Sequence, residues 1–451
     1  MGSGKSRVPA GRIERLFRMG TMAADVAAGT AVETARTWWT GEAKSIGDLV
    51  ASGINPRRLT RDLARMRGAA MKLGQLLSLE GDDFLPAPLA EALAALQDDG
   101  DTMSDKQLEM VLVSEFGKDW RSLFQEFETK PMAAASIGQV HRAVARDGRR
   151  LAMKVQFPGV ARSIDSDVDN LGSLIQTARL VPPGFELAPL LEEVKRQLRQ
   201  ETDYLEERRF LDAYRDKISD MSDVTVPGSH ADLTTARVLA MDLIDAPPLC
   251  RVWEQDTDQK TRDYLGRLAQ TVVFRELFQF GLMQTDPNYA NYLWHPEEKQ
   301  MVLLDFGSTI EIPEELRNRY QNLVTAAVND DMERVIELLL EYEWAPADSP
   351  RPQLEGVAGF LHLSVEPLRK PGNYDYGSSD LQGRARDRAV ELAATLGGLA
   401  PPPPEIVFIQ RKLGGTFLLC SQLGARIDSY AMFQEFLSGN FSLEKPLELQ
   451  D

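Results

Sequence analysis

The sequence predicts an α+β protein with a helical N-terminal extension, a small β-rich lobe and a larger helical lobe. Helical periodicity covers the first hundred residues, apolar runs around turn signals follow between 124 and 243, and helical periodicity then returns. The chain has 451 residues, which is more than one hydrophobic core usually serves. We therefore expect three parts, at 1–105, 106–245 and 246–451.

The composition excludes several classes of protein. Hydrophobic residues make up 43% and charged residues 26% of the chain, which is typical of a globular protein. Two cysteines are too few for a disulfide framework or a thiolate zinc site. Because no apolar run is long enough to cross a membrane and the start lacks a secretory signal, we expect a cytoplasmic protein without a transmembrane helix.

The charge is unevenly distributed along the chain. The net charge of −17 argues against nucleic acid as a partner. Residues 1–72 nevertheless contain 13 Lys and Arg against 6 Asp and Glu. This basic arm, with Arg12, Phe17 and the Trp38-Trp39 pair, allows two interpretations: it lies on an anionic bilayer, or it packs on the rest of the chain.

The periodicity predicts each element of the first two parts in turn. An apolar helix face in the extension is formed by Leu59, Leu63, Met66, Ala70 and Leu73. A second short helix is expected over 88–97. The β-like runs Ser136–Ala145 and Arg150–Phe157 flank an Asp-Gly turn, which is a strong hairpin signal. A helix-favouring segment and a buried strand, Ala236–Ile244, complete the small lobe.

The third part begins with a predicted core helix over Thr261–Phe280. A second hairpin follows, in which Asn291–Trp294 and Met301–Leu304 are joined by a polar turn. Asn291 and Asp305 are therefore expected at the same end of this hairpin, and Asp286 stands five residues before Asn291. Oxygen-bearing side chains of this kind suit magnesium, which is usually shared with phosphates.

A single lysine, Lys154, stands in the otherwise apolar strand after the Asp-Gly turn. A buried cation needs an anionic partner, and the helical segment around 197–210 contains four candidates, Glu201, Asp203, Glu206 and Glu207. On one regular helix, Asp203 and Glu207 would share a face and Glu201 would point elsewhere.

Several short motifs follow one another in a fixed order. They are K-x-G-Q at 72–75, an alanine-rich loop at 133–136, A-x-K at 152–154, E-x-D at 201–203, D-x-x-x-x-N at 286–291 and D-F-G at 305–307. The last two, with A-x-K, resemble the protein-kinase-like fold. The whole set resembles the UbiB family of AarF-domain atypical kinases. Q-T-D at 284–286 is similar to the branch that supports coenzyme Q.

The resemblance implies a two-lobed kinase-like fold and a role for each motif residue. Lys154 and Glu207 would form an ion pair, Asp286 would be the catalytic-loop aspartate, and Asn291 and Asp305 would hold magnesium. The nucleotide would also contact the alanine-rich loop and a hinge, at Ala133, Ala134, Ala135, Ser136, Met241, Asp242 and Ile244. A regulatory pocket over the active site, which does not suit a peptide substrate, would contain Lys72, Gln75, Glu201 and Asp203.

The implied function is an atypical kinase or ATPase that uses ATP or ADP with Mg²⁺ and supports ubiquinone biosynthesis. Two alternatives remain open: a kinase acting on a protein or small molecule, and a nucleotide-gated binding protein with little turnover. Expected partners besides adenine nucleotide are quinone-precursor lipids, ubiquinone-biosynthesis enzymes and an anionic membrane surface. The resemblance is compatible with a peripheral position on the inner membrane.

Overall fold

The computed structural model describes residues 66–78, 102–177, 187–286, 288–396 and 404–439. The basic arm up to residue 65 and the predicted helix at 88–97 lie outside these residues. The described residues belong to two units, one with residues up to 209 and 228–244, the other with 210–227 and residues from 245 onwards. The three-part division at 105 and 245 stays a prediction.

The first unit contains helices around one antiparallel sheet. The helices are α1 (Arg67–Ser78), α2 (Asp105–Phe116), α3 (Val160–Thr177), α4 (Leu187–Glu201) and α5 (Tyr204–Ile218), of which α5 ends in the second unit. The first six strands are β1 (Phe124–Phe127), β2 (Ala133–Ala134), β3 (Gly138–Ala145), β4 (Arg150–Gln156), β5 (Val224–Thr225) and β6 (Val238–Asp242). All but β5 form the sheet, in the order β1-β3-β4-β6 with β2 also paired to β3.

The predicted hairpin of the small lobe is confirmed. Strands β3 and β4 pair in antiparallel register around the Asp-Gly turn, where Gly148 has a φ of 92° that favours glycine. Because side chains alternate along a strand, Leu151, Met153 and Val155 of β4 enter one hydrophobic core with α2. Lys154 points to the other face of the sheet, which leaves it available for the functional site.

The second unit is mainly helical. Its helices are α6 (Arg251–Glu254), α7 (Gln259–Arg275), α8 (Glu314–Val328), α9 (Met332–Glu341), α10 (Arg351–Ser364), α11 (Leu381–Leu396), α12 (Pro404–Leu423) and α13 (Ser429–Leu437). Its remaining strands are β7 (Leu282–Gln284), β8 (Tyr292–His295), β9 (Gln300–Leu303), β10 (Thr309–Glu311), β11 (Tyr374–Asp375) and β12 (Arg426–Ile427). No described helix is both long and apolar enough to cross a membrane.

The predicted core helix of this unit differs from the structure at its end. Helix α7 stops at Arg275, and Glu276–Phe280 form a π-helical turn that Gly281 closes with a φ of 63°. Turns of this type are rare and frequently lie at functional sites. The turn makes the side chain of Glu276 fully buried.

The buried His141 in β3 requires the neutral form of its ring. Its Nδ1 lies 2.8 Å from the carbonyl oxygen of Glu128, and its Nε2 lies 2.8 Å from the side-chain nitrogen of Gln139. The Gln139 oxygen accepts from the backbone N–H of Met103, so Gln139 must donate to His141. Burial lowers the pKa of His141 below its ordinary value of 6.5.

We predict that this chain of hydrogen bonds makes stability fall with acidification below pH 6.5. His141 has a lower pKa in the folded state than in the unfolded state. Its contribution to the free energy of unfolding is therefore complete above the unfolded-state pKa and is lost as the pH falls towards the folded-state pKa. Thermal unfolding midpoints across this range measure the effect. His141→Gln should show a shallower decline than the wild type. An equal slope in His141→Gln would contradict the assignment.

Candidate active site

Lys154 of β4 and Glu207 of α5 form a buried ion pair. The ammonium donates to both carboxylate oxygens of Glu207, at 2.7 and 3.0 Å, and the two side chains are 9% and 1% exposed. The Lys154 nitrogen also lies 5.2 Å from the ring centroid of Tyr204. The strand pattern alone predicted an anionic partner for Lys154, and the structure selects Glu207 among the four acidic candidates.

The expectation of one regular helix over 197–210 is wrong, because the helix is broken at Thr202 and Asp203. The Gln156 side chain of β4 donates to the carbonyl oxygen of Thr202 at 2.8 Å, which satisfies a carbonyl at the end of α4. The Asp203 carboxylate accepts from the backbone N–H of Glu206 at 3.0 Å and so caps α5. Asp203 is exposed, and its carboxylate is used as a helix cap.

A second buried ion pair joins α1 to the end of α4. The Lys72 nitrogen lies 2.5 Å from Glu201, with side-chain exposures of 0% and 8%. Ser136 of the alanine-rich loop donates to the same carboxylate. Lys72 and Glu201 are thus brought together as the motif resemblance implied, whereas the side chain of Gln75 lies outside the described residues.

The alanine-rich loop is held close to the sheet. Ala133 and Ala134 are exposed and pair as β2 with Val140 and Gln139 of β3. A Cβ atom on Gly138 would collide with the carbonyl oxygen of Val155 in the next strand, so glycine is required where the loop enters the sheet. Ala135, whose backbone N–H donates to the carbonyl oxygen of Gly138 at 2.9 Å, closes this short hairpin.

The segment expected to be the hinge begins in the last two residues of β6 and continues beyond it. Met241 is buried, and the side chain of Asp242 accepts from the backbone N–H of Gly228 at 2.7 Å and contacts His230 at 2.9 Å. The Asp242 carboxylate is therefore engaged in holding the chain that leads into β6. Ile244, which is half-buried, is the last residue of the first unit.

Two strand pairings of the second unit flank the three residues of the predicted rim, Asp286, Asn291 and Asp305. Gln284 of β7 pairs with Thr309 of β10, so the residues after β7 run beside those before β10. In the β8–β9 hairpin, the backbone N–H of Leu304 donates to the carbonyl oxygen of Asn291 at 3.0 Å. This register confirms the predicted hairpin and sets Asn291 beside Leu304, the residue before Asp305, whereas the convergence of Asp286 with them stays a prediction.

The three rim residues differ in their surroundings. Asp286 is buried, accepts from the backbone N–H of Asn288 at 3.2 Å and lies 3.8 Å from Nη2 of Arg411 in α12. Asp305 is half-buried and accepts from the backbone N–H of Gly307 at 2.9 Å. Phe306, which stands between Asp305 and Gly307 in the D-F-G motif, is fully buried. The centroid of its ring lies 4.8 Å from the ring centroid of Tyr214.

The residues at this rim fit a magnesium ion. The side-chain nitrogen of Asn291 is buried and has no hydrogen-bond partner among the described residues, which is costly unless an acceptor such as a phosphate oxygen completes the site. The amide oxygen of Asn291 and the carboxylate of Asp305 are ligands of the type that Mg²⁺ takes. Within the described ranges, no group of three His, Cys, Asp or Glu side chains could hold a metal, so phosphate and water would supply the other ligands.

Sequence reasoning missed three charged residues that lie around the segment of Asp286, namely Glu276, Arg411 and Lys412. Arg411 and Lys412 lie in α12 near Asp286 and Gln284, and Lys412 pairs with Glu276 at 3.3 Å. Arg411 and Lys412 stand in an otherwise apolar helical run. A cation in such a run needs an anionic partner, which is the same signal that identified Lys154.

We predict that Lys72→Met lowers the free energy of unfolding by about 3–5 kcal/mol, because it leaves the Glu201 carboxylate buried without its cation. The double variant Lys72→Met/Glu201→Gln should recover most of this loss. Lys195→Met is the matched control, since it removes a pair with largely exposed carboxylates and should cost at most about 1 kcal/mol. Denaturant unfolding measures all three. A loss in Lys72→Met no larger than in the control would contradict a buried pair.

Comparisons with known proteins show the family of the chain. A family model described as the ABC1 atypical kinase-like domain matches residues 95–339. The mitochondrial atypical kinase COQ8 of Schizosaccharomyces pombe is 33% identical over 96% of this chain and 70% of its own length. The mitochondrial atypical kinase coq-8 of Caenorhabditis elegans is 34% identical over 96% of this chain, which spans 58% of that relative.

A solved structure supports the fold alone. The complex of Rv3197 with erythromycin from Mycobacterium tuberculosis covers 86% of this chain and 96% of its own, with 22% sequence identity and a TM-score of 0.59. The α+β kinase-like fold expected from the sequence is confirmed. The family model matches more than half of the chain, and a COQ8 protein is 33% identical over 96% of it. The chain therefore belongs to the ABC1 atypical kinase-like family.

Proposed function

We propose that this protein binds adenine nucleotide with Mg²⁺ and transfers the terminal phosphoryl group to water or to a small acceptor. The observation that carries the proposal is the strand register of the second unit, since Asp286, Asn291 and Asp305 stand just beyond the ends of the paired strands β7–β10 and β8–β9. These residue types match the parts that phosphoryl transfer requires, a residue that orients the acceptor and ligands for the metal. The buried Lys154–Glu207 pair in the first unit gives independent support.

We assign a distinct task to each of these residues. Lys154 would neutralise phosphate charge, and Glu207 holds its ammonium group in place. Asn291 and Asp305 would hold Mg²⁺, which when bound would screen the phosphate charge. Asp286 would orient the attacking hydroxyl and accept its proton as the oxygen bonds to the terminal phosphorus. The bond from that phosphorus to the bridging oxygen then breaks, and ADP leaves.

The contacts of α1 favour water or a small molecule over a peptide as the acceptor. Lys72 of α1 holds Glu201, and Glu201 in turn accepts from Ser136 of the alanine-rich loop. A Cβ atom on Gly68 would lie 3.3 Å from the carbonyl oxygen of Ser136, so α1 packs closely on this loop. The helix thereby restrains the loop that, in the proposal, lies over the nucleotide.

We place this activity in ubiquinone biosynthesis, at a membrane surface. The support is the similarity to COQ8 proteins over most of the chain and the excess of basic residues in 1–72. An anionic membrane would attract such a segment. Quinone-precursor lipids and the enzymes that modify them would then be the partners of the protein.

One experiment separates the proposed activity from its alternatives. The purified protein is incubated with ATP labelled at the terminal phosphate, with and without anionic liposomes and a phenol that resembles a quinone precursor. Release of inorganic phosphate, or labelling of the phenol, is the expected result. Labelling of an added protein would favour a protein kinase. Stoichiometric nucleotide binding with neither release nor transfer would overturn the proposal in favour of a nucleotide-gated binding protein.

We predict that Asp305→Asn abolishes magnesium-dependent turnover without unfolding the protein. The substitution removes the anionic ligand but keeps the side-chain volume. Phosphate release and the thermal midpoint are measured together for each variant. Asp348→Asn is the control, because Asp348 is exposed and its loss should leave turnover unchanged. Turnover in Asp305→Asn equal to that of the control would remove Asp305 from the mechanism.

A further inference from the structure

A buried ion pair lies beneath the segment that carries Asp286. Lys412 of α12 is 2% exposed, and Glu276 in the π-helical turn has no exposed surface. The Lys412 nitrogen lies 3.3 Å from Oε2 of Glu276. It also donates to the side-chain oxygen of Gln284 at 3.1 Å. The pair therefore contacts the last residue of β7, two positions before Asp286.

Gln284 transmits this contact to the catalytic segment. Its side-chain nitrogen donates to the carbonyl oxygen of Asp286 at 3.1 Å. Its backbone N–H donates to Oε1 of Glu276, also at 3.1 Å. Both the backbone and the side chain of Gln284 are thus fixed by the ion pair. Glutamine suits this position because one amide side chain both accepts from Lys412 and donates to Asp286.

Two tyrosines complete the network. The Tyr214 hydroxyl donates to Oε1 of Glu276 at 2.8 Å, and Lys412 donates to the Tyr292 hydroxyl at 3.3 Å. Burial and the Glu276 charge raise the pKa of Tyr214 well above its ordinary value, so its hydroxyl stays a donor. Burial opposes the charge of Lys412, but Glu276 reverses this and raises the pKa of Lys412. Burial raises the pKa of the Glu276 carboxyl, whereas Lys412 and the backbone N–H of Gln284 lower it.

We propose that Lys412 and Glu276 are positioning residues that hold Asp286, through Gln284, in the orientation that phosphoryl transfer requires. The proposal rests on the function proposed above and assigns a role to residues that act through a third side chain. A positioning role explains why the pair is charged, since a buried ion pair often makes a protein no more stable than apolar residues of the same size would. Displacing a catalytic group by about 1 Å can reduce turnover roughly 100-fold.

The test compares two variants with a matched control. Lys412→Met removes the donor to Gln284 but leaves Glu276 buried without its cation. Lys412→Met/Glu276→Gln removes both charges and so relieves that cost. The control is Arg275→Met, which breaks the two hydrogen bonds to Asp220 at 2.7 and 2.8 Å one residue before Glu276 and leaves the contacts of Gln284 intact.

Four quantities are measured for each protein: kcat for phosphate release, nucleotide affinity, the thermal midpoint, and hydrogen–deuterium exchange of peptides covering residues 282–291. We expect kcat to fall about 10- to 100-fold in both Lys412 variants, with nucleotide affinity changed by no more than about 2-fold. The double variant should regain thermal stability but not kcat. Exchange in 282–291 should be faster in both variants than in the control.

Recovery of kcat together with stability in the double variant would overturn the proposal, because a purely structural pair predicts that result. Wild-type exchange in 282–291 of a folded Lys412→Met protein would overturn it as well. If the wild type neither releases phosphate nor labels the phenol, the proposed function fails. The exchange measurement then still decides whether Lys412 and Glu276 hold the segment.

Discussion

The burial of charge is the constraint on which the rest of this structure depends. Among the described residues, the ion pairs whose two side chains are each less than a tenth exposed include Lys72–Glu201, Lys154–Glu207 and Lys412–Glu276. A buried charge is tolerated only beside its counter-charge, so each pair fixes two elements together. The first joins α1 to α4, the second joins β4 to α5, and the third joins α12 to the end of α7.

Strand register supplies the complementary constraint in the second unit. Two short antiparallel pairings, β7 with β10 and β8 with β9, determine which residues share the rim. Neither pairing contains a residue that we assign to chemistry, yet a shift by one position would turn the neighbouring side chains to the opposite face. The geometry of this rim is thus set by backbone hydrogen bonds, and the buried Lys412–Glu276 pair contributes its charges within the same unit.

Local sequence patterns predicted the hairpins, because the Asp-Gly turn at 147–148 and the apolar runs of β8 and β9 each depend on only a few neighbouring residues. The same patterns failed at 202–203, where Gln156 of a distant strand stabilises a break that the helix-favouring sequence does not show. Lys154 was recognisable as a cation in an apolar strand, but choosing Glu207 as its partner needed the family resemblance. Lys412 gave the same signal in α12 and was missed because Glu276 lies 136 residues away along the chain.

The most direct test of this account is the equilibrium binding of MgATP to the wild type and to Lys154→Met, with the exposed-lysine variant Lys106→Met as control. The account predicts magnesium-dependent binding of one nucleotide per chain to the wild type and to Lys106→Met. Loss of a charge-assisted contact should weaken binding to a folded Lys154→Met by roughly 10- to 100-fold. Equal affinity in all three proteins would contradict the assignment of Lys154, and with it the proposed nucleotide site.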